Sequence, residues 1–496
     1  MEPMSPTKQS HWYRHRPRPA VHGGAWVLSG FLAIAIATAF PAKAMAATAP
    51  VRYSATILST LCTDFSGTPC PTYPLSNGAG INDRGWIVGD SNYPGSWLDP
   101  TNPSIALPLT EHATLWRNGQ ITDLGTLGGP NSSIGFVARP NSTGLISGNA
   151  QTATVDPFDE QWALNLGCTP TNGPCDGSQY EIKGFAWKNG VIRQLPTLGG
   201  NNALAFGAAN DHAQLSGGAE DATKDPTCLS GSPAGGPTQV LDWEPVVWGP
   251  GDGEIRELPL YPGDHVGSAS AINDKGQVVG GSGFCGPIAF PNLTHALLWQ
   301  RGSVINLGSL GGNYDNLGTA INNRGQVVGW SDLPGDAFAN GTLTGTTHAF
   351  LWQNGVITDL STLPGDTQSF AYGINDAGQV VGQSCDVNGN CRAFLWEHGS
   401  MFDLNRITQL SSPGSVELVN AEGINARGEI TGMAVDNSTT DTLGFSAVPC
   451  DATPAGDKAC TDAVHTTAGP GPVVAPSDRA DVIARTRLGL GVLGGR

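Results

Sequence analysis

Charge is what this chain has least of. Asp, Glu, Lys and Arg make up 14% of its 496 residues, roughly half the usual share of a soluble domain. That argues against an architecture of long surface helices laced with ion pairs. Positive charge is scarcer still: 25 Lys and Arg stand against 42 Asp and Glu, for a formal charge of −17. Such a surface repels phosphates and anionic headgroups, so neither nucleic acid nor a membrane surface is an expected partner. None of the cysteine spacings is CxxC, which argues against a zinc site or a thioredoxin-like dithiol. Gly-x-Ser-x-Gly, His-Glu-x-x-His and a phosphate-binding glycine loop are also missing, so no familiar catalytic motif is present.

Long apolar runs are missing too, with one exception near the start. Arg14, Arg16 and Arg18 precede an apolar stretch from Ala25 through Phe40, followed by Ala42-Lys43-Ala44 and Ala44-Met45-Ala46. A positive region, an apolar run and small-residue cleavage patterns read as a secretory signal over residues 1–46, cut after Ala46. An uncleaved anchor is the alternative, with a run slightly short for a span. Removing these residues takes the formal charge from −17 to −21. No membrane insertion is expected after cleavage, and the mature protein is expected to be secreted, periplasmic or at the cell surface.

What is abundant is Gly (68) and Pro (36), which suits short strands joined by many turns. One sentence is written over and over. Ala371-Tyr372-Gly373-Ile374-Asn375-Asp376-Ala377-Gly378-Gln379-Val380-Val381-Gly382 is followed by Arg392-Ala393-Phe394-Leu395-Trp396. Near-copies start at Ala271 and Ala320, and degenerate ones fill the rest. Each unit reads as four strands. The first ends at Ile-Asn, Asp-x-Gly turns the chain, and x-Val-Val-Gly is the second. The third ends in Trp, and an Asn-Gly type I′ turn leads to the fourth, Ile-Thr-Asp-Leu.

Counting markers sets the topology. The first-strand Asn recurs at Asn82, Asn141, Asn210, Asn273, Asn322, Asn375 and Asn425. The third-strand Trp recurs at Trp116, Trp187, Trp248, Trp299, Trp352 and Trp396, with Leu443–Val448 as a seventh copy lacking Trp. The fourth-strand Leu follows its own unit only six times, at Leu124, Leu195, Leu258, Leu307, Leu360 and Leu404; the seventh is Leu58, at the other end of the chain. Residues 52–58 would therefore complete the last unit and close a ring. The expected fold is all-β: a seven-bladed β-propeller of four-stranded blades over residues 47–450, closed by the N-terminal strand. Residues 451–496 read as a mostly irregular tail, with a short helix possible over 477–490.

Turns between strands one and two and between three and four share one end of the ring, which is short and repetitive. The other end carries the long loops 90–111, 149–182, 218–243, 281–294 and 331–347. Binding sites favour variable loops on a rigid scaffold, so this end is the expected binding face, with Asp264, Asp315, Asp332 and Asp366 as its candidate binding carboxylates. No catalytic residue is assigned. Acidic loops on an acidic protein are the plainer explanation of these four.

The even count of ten cysteines in an exported chain implies disulfides. Neighbour pairing gives Cys62–Cys70, Cys168–Cys175, Cys385–Cys391 and Cys450–Cys460, leaving Cys228–Cys285. Spacing alone does not fix the connectivity. Within Cys385–Cys391, oxygen side chains alternate as in calcium loops, but the sixth-position glycine is replaced by the second cysteine, so a disulfide-clasped turn is preferred. No cofactor is otherwise expected. The repeated Asn is read as a turn cap, the repeated Trp as filler between blades, and His112, His295 and His348 as polar strand-edge residues.

The phrases His348-Ala349-Phe350-Leu351-Trp352, Gly355-Val356-Ile357-Thr358-Asp359-Leu360 and Ile374–Gly382 resemble the HAF family of probable extracellular repeat proteins of bacteria. The resemblance spans roughly residues 53–448 and implies export and repeats, with no established activity to carry over. The C-terminal apolar helix with a basic end that would anchor such a protein is not evident. Two functions fit: a monomeric, non-catalytic scaffold binding a glycan or a protein, or an extracellular polysaccharide hydrolase or lyase using loop carboxylates.

Overall fold

The computed structural model describes residues 51–61, 75–92, 97–98, 106–107, 111–135, 137–158, 160, 180–225, 239–285, 291–339, 342–410, 415–439 and 441–450. The proposed signal segment, the tail and the possible helix at 477–490 lie outside them.

Seven antiparallel sheets follow one another along the chain. Blade 1 is built from Ser76–Ile81, Ile87–Asn92, Glu111–Arg117 and Gln120–Asp123. Blades 2 to 6 repeat the up-and-down order, with inner strands Gly128–Ile134, Ala203–Ala205, Val266–Ile272, Asn316–Ile321 and Gln368–Ile374. Blade 7 takes Val416–Ile424, Ile430–Asp436 and Asp441–Pro449 from the end of the chain and Tyr53–Ile57 from its start. That strand pairs antiparallel with the third strand, from Tyr53↔Pro449 to Ile57↔Phe445.

The Leu58 count holds at atomic detail. The fourth-strand Leu donates its N–H to a third-strand carbonyl, as Leu124 does to Ala113 and Leu360 to Ala349, both at 2.9 Å. Leu58 makes the same bond to Gly444 at 2.8 Å. Blade 7 departs from four strands in one respect. After a one-turn helix, Leu404–Ile407, residues Thr408–Leu410 lie parallel to Tyr53–Ile57 as a fifth, outermost strand. The N-terminal strand is the last of the blade's own four, and the linker from blade 6 pairs along its outer edge.

The hydrophobic core lies between blades. Val88 and Leu115 of blade 1 cluster with Ile134, Ile146 and Phe185 of blade 2; Val381 and Leu395 of blade 6 cluster with Leu418, Ile430 and Phe445 of blade 7. Blades buried on both faces need apolar residues at adjacent positions, which is why the second strand reads Val-Val instead of alternating. The third-strand Trp packs at the seams, buried in blades 1 to 5 and partly buried in blade 6, and in blades 1, 3 and 4 it donates a bond across them. Trp116 Nε1 reaches Ser59 O at 2.9 Å, Trp248 reaches Pro196 O at 2.8 Å, and Trp299 reaches Pro259 O at 2.7 Å.

Long loops are partly strand. The second strand of blade 2 runs Ile146–Val155 and that of blade 3 Leu215–Lys224. Ala337–Ala339 and Thr342–Thr344 form a separate small hairpin. The Cys385–Cys391 disulfide is present, with S–S 2.03 Å. Cys450 is also disulfide-bonded. Its proposed partner Cys460, the proposed pairs Cys62–Cys70 and Cys168–Cys175, and Cys228 of the pair with Cys285 lie outside the described residues.

Candidate functional site: the axial channel and its plain end

The repeated asparagines meet around the axis. Each Oδ1 accepts two backbone N–H groups of its own turn, as Asn82 does from Arg84 and Trp86, both at 3.0 Å. That is the expected cap. The amide nitrogen does more. Nδ2 of Asn141 donates to Asn210 O, Asn210 to Asn273 O, Asn273 to Asn322 O, Asn322 to Asn375 O, Asn375 to Asn425 O and Asn425 to Asn82 O, all within 2.9–3.1 Å. One side chain thus fixes a turn and the position of the next blade. The ring has one break. Asn82 Nδ2 is buried without a hydrogen-bond partner.

The residue after each Asn forms a second ring at the mouth. Asp211 Oδ1 accepts from Ser142 N, Asp274 Oδ1 from Asp211 N, Asp376 Oδ1 from Asn323 N, and Asp83 Oδ1 from Ala426 N, at 2.8–2.9 Å. The second carboxylate oxygens of Asp83, Asp211 and Asp376 have no hydrogen-bond partner among the described residues. These groups, with Arg84 and Arg139, line a cup of about 190 Å³ open at the plain end. Below it the channel narrows to about 50 Å³ between Ala79, Ala208, Ala271 and Ala320. The sequence places binding on the loop-rich end. Much of that end lies outside the described residues, and the cup at the plain end was not foreseen, because a turn residue repeated in every blade reads as structure.

The four loop-end carboxylates are each held within the scaffold. Asp264 accepts from His295 Nδ1 at 2.9 Å and from Ser282 Oγ. Asp315 accepts from Trp330 Nε1 at 2.8 Å. Asp332 is fully buried and accepts from Thr347 Oγ1 at 2.7 Å. Asp366 pairs with Arg392 at 2.8 Å. They lie around blades 4 to 6, and Asp315 and Asp332 meet through their backbones. Asp386, in the disulfide-clasped turn, accepts the N–H groups of Asn388 and Asn390 and the Asn390 amide, at 2.8–2.9 Å.

The strand-edge histidines form a clasp between strands three and four. His112 Nδ1 meets Asp123, and His348 Nδ1 meets Asp359, both at 3.0 Å. Burial pulls the Asp359 carboxyl up, but His348 and the Ser361 N–H outweigh it and hold it below its ordinary value. In blade 6 Arg392 takes the histidine's place, at 3.0 Å from Asp403. In blade 3 both partners are acids. Glu244 is pushed up to about 8, first by burial and then by Glu257 and by Asp242, Asp221 and Asp225.

A third acidic group ties two long loops together. Glu160, from the blade 2 loop, accepts from Val240 N and Leu241 N of the blade 3 loop. It hydrogen-bonds with Glu220, and Asn202 Nδ2 bridges to Asp156 and Glu220. Burial first, and Glu160's charge second, raise Glu220 to about 8. Its unfolded value is about 4.3. A raised folded pKa means the native state holds the proton more tightly. The stability it contributes is complete below pH ~4.3 and is lost as pH rises through about 8. The melting temperature should therefore fall by several degrees between pH 5 and pH 9. Glu220→Gln, which keeps an acceptor for Asn201 N and Asn202 N, should flatten that decline in a calorimetric pH series. An unchanged slope would refute the role of this pair.

No family model matches the chain, and no curated protein matches it. Solved propellers do resemble it. The β-propeller domain of the Trilobed protease from Pyrococcus furiosus aligns over 75% of this chain and 95% of its own, at 9% identity and TM-score 0.41. The acylaminoacyl peptidase of Pyrococcus horikoshii aligns over 74% of this chain and 50% of its own, at 10% identity and TM-score 0.40. A Trypanosoma rangeli sialidase in complex with sialic acid aligns over 67% and 56%, at 10% identity and TM-score 0.34. This chain thus spans about half the length of the latter two. Similarity at this level concerns the propeller fold.

Proposed function

We propose that this chain is an exported, non-catalytic propeller that binds a glycan or protein ligand, with the axial cup at the plain end as one contact point. The observation that carries this reading is the contrast between two sets of carboxylates. Those of the loop-rich end, Asp264, Asp315, Asp332 and Asp366, are engaged by His, Trp, Thr and Arg of their own scaffold. Those of the cup, Asp83, Asp211 and Asp376, keep an oxygen free toward solvent. Free acceptors on a rigid ring suit the hydroxyls of a sugar or the cationic side chain of a protein, without a step of chemistry. A disulfide within a strand-end turn, the signal-like N-terminus and the resemblance to HAF repeats support export.

The test is a glycan array and a basic-peptide panel probed with the mature protein and with an Asp211→Asn/Asp376→Asn double variant. Binding that weakens tenfold or more in the variant is the expected result. Polymer turnover abolished by a single carboxylate replacement would replace this reading with the hydrolase or lyase one. That second reading has one observation of its own: Glu422, which lines the channel, and Asp90, on the second strand of blade 1, are raised to about 8 and about 7, as a general acid requires.

A further inference from the structure

Partway down the channel, where blade 7 meets blade 1, acceptors outnumber donors. The inner strand Val416–Ile424 contributes Asn420 and Glu422, and Ser76–Ile81 contributes Asn77. Asp90 stands opposite Asn77 in the ladder. Glu422 lines the channel. Asp90 is enclosed by protein yet partly reachable by water. Three donors serve this group: Ile134 N to Asp90 Oδ1 at 2.7 Å, Asn420 Nδ2 to Glu422 Oε1 at 2.9 Å, and the Asn77 amide to Glu422. Asn420 is 1% exposed, and its Oδ1 has no hydrogen-bond partner; buried Asn77 Oδ1 has none either.

Asp90 shares a ladder position with Asn77, and Asn77 bonds Glu422, so two carboxylates flank one carboxamide in an enclosed space, where both cannot ionise without compensating charge. The charge that acts on Glu422 is that of Asp90. Arg139, the one cation lining this section of the channel, makes no hydrogen bond among the described residues. We propose that Asn77, Asp90, Asn420 and Glu422 form a binding site for a hard divalent cation of the calcium class. The donor set is oxygen only, mixing carboxylates with carboxamides, which suits calcium and disfavours zinc or copper. The site straddles the seam where the chain's two ends close the ring, so its occupancy locks that closure. It differs from the Cys385–Cys391 turn, whose aspartate is already satisfied by its own backbone.

The experiment is a melting series on the full mature chain, stripped with chelator at pH 8 and then titrated with calcium or magnesium. Asp90→Asn and Glu422→Gln are the test variants. Asp90→Asn will fold, because Asn149 holds the equivalent place in blade 2, with Oδ1 on Ala205 N and Nδ2 on Ala205 O. Calcium should raise the wild-type melting temperature saturably, with one ion per chain by calorimetry, and magnesium should do so more weakly. Each variant should lose the rise and, in chelator, melt above wild type. Two results would overturn the proposal. A wild type unmoved by millimolar calcium would make the group a proton-sharing pair. An equal rise in all three proteins would put the ion elsewhere.

Discussion

Gly329→Ala should leave little folded protein: a loss of at least ~3 kcal/mol, read as a collapse of soluble yield and melting temperature. The inner strand opposite carries an extra residue, so that Gly318 pairs with Gly329 and Ala320 already pairs with Val328. The bulge pushes the Leu317 carbonyl toward Gly329, and a Cβ there would sit 1.9 Å from that oxygen. The same crowding recurs at Gly89, Gly280, Gly382 and Gly432, each within 1.8–2.1 Å of a backbone oxygen. Relief would require moving an inner strand that is packed on both sides. Gly355→Ala is the control. That residue has φ 85° in an Asn-Gly turn, and nothing lies within 4 Å of its would-be Cβ, so the cost is only the left-handed backbone, about 1 kcal/mol. A Gly329→Ala protein as stable as Gly355→Ala would show that the bulge can relax.

The bulge also shows where sequence reasoning stopped. Blade number, strand order and ring closure were all legible, because they follow from counting copies of a unit whose ends must match. Leu58 is the clearest case, since a fourth-strand leucine without its own third strand requires a partner at the far end of the chain. The glycine of Val-Val-Gly was visible as a repeat, but not its cause, which lies in the opposite strand. The candidate site was less legible. Asp264 and Asp366 lie in loops before an inner strand, as expected, but what occupies their oxygens, His295 and Arg392, depends on which side chains the blade brings across. Asp90 and Glu422 were missed altogether. They are 332 positions apart in the chain, on blades 1 and 7, which adjoin only because the ring closes.

Asn375→Ala should destabilise the propeller by about 3 kcal/mol, and Asn82→Ala by about 1 kcal/mol less, in urea-unfolding midpoints at constant slope. Both side chains accept two N–H groups of their own turn: Ala377 and Gln379 for Asn375, Arg84 and Trp86 for Asn82. Only Asn375 also donates across the seam, to Asn425 O at 3.0 Å, and to Gln379 Oε1 at 2.7 Å. Truncating it strands a buried carbonyl and two N–H groups, whereas Asn82 Nδ2 has no partner to strand. Aspartate sharpens the contrast. Asn82→Asp keeps both accepted bonds and breaks no interblade bond, so it should cost only the burial of its charge. Asn375→Asp would set a carboxylate against the Asn425 carbonyl, and should cost more than alanine above pH 6 and less below pH 4, where a protonated oxygen can donate in place of the amide. Equal effects of aspartate at the two positions would mean that the interblade bond adds nothing, and that the repeated asparagine serves its own turn alone.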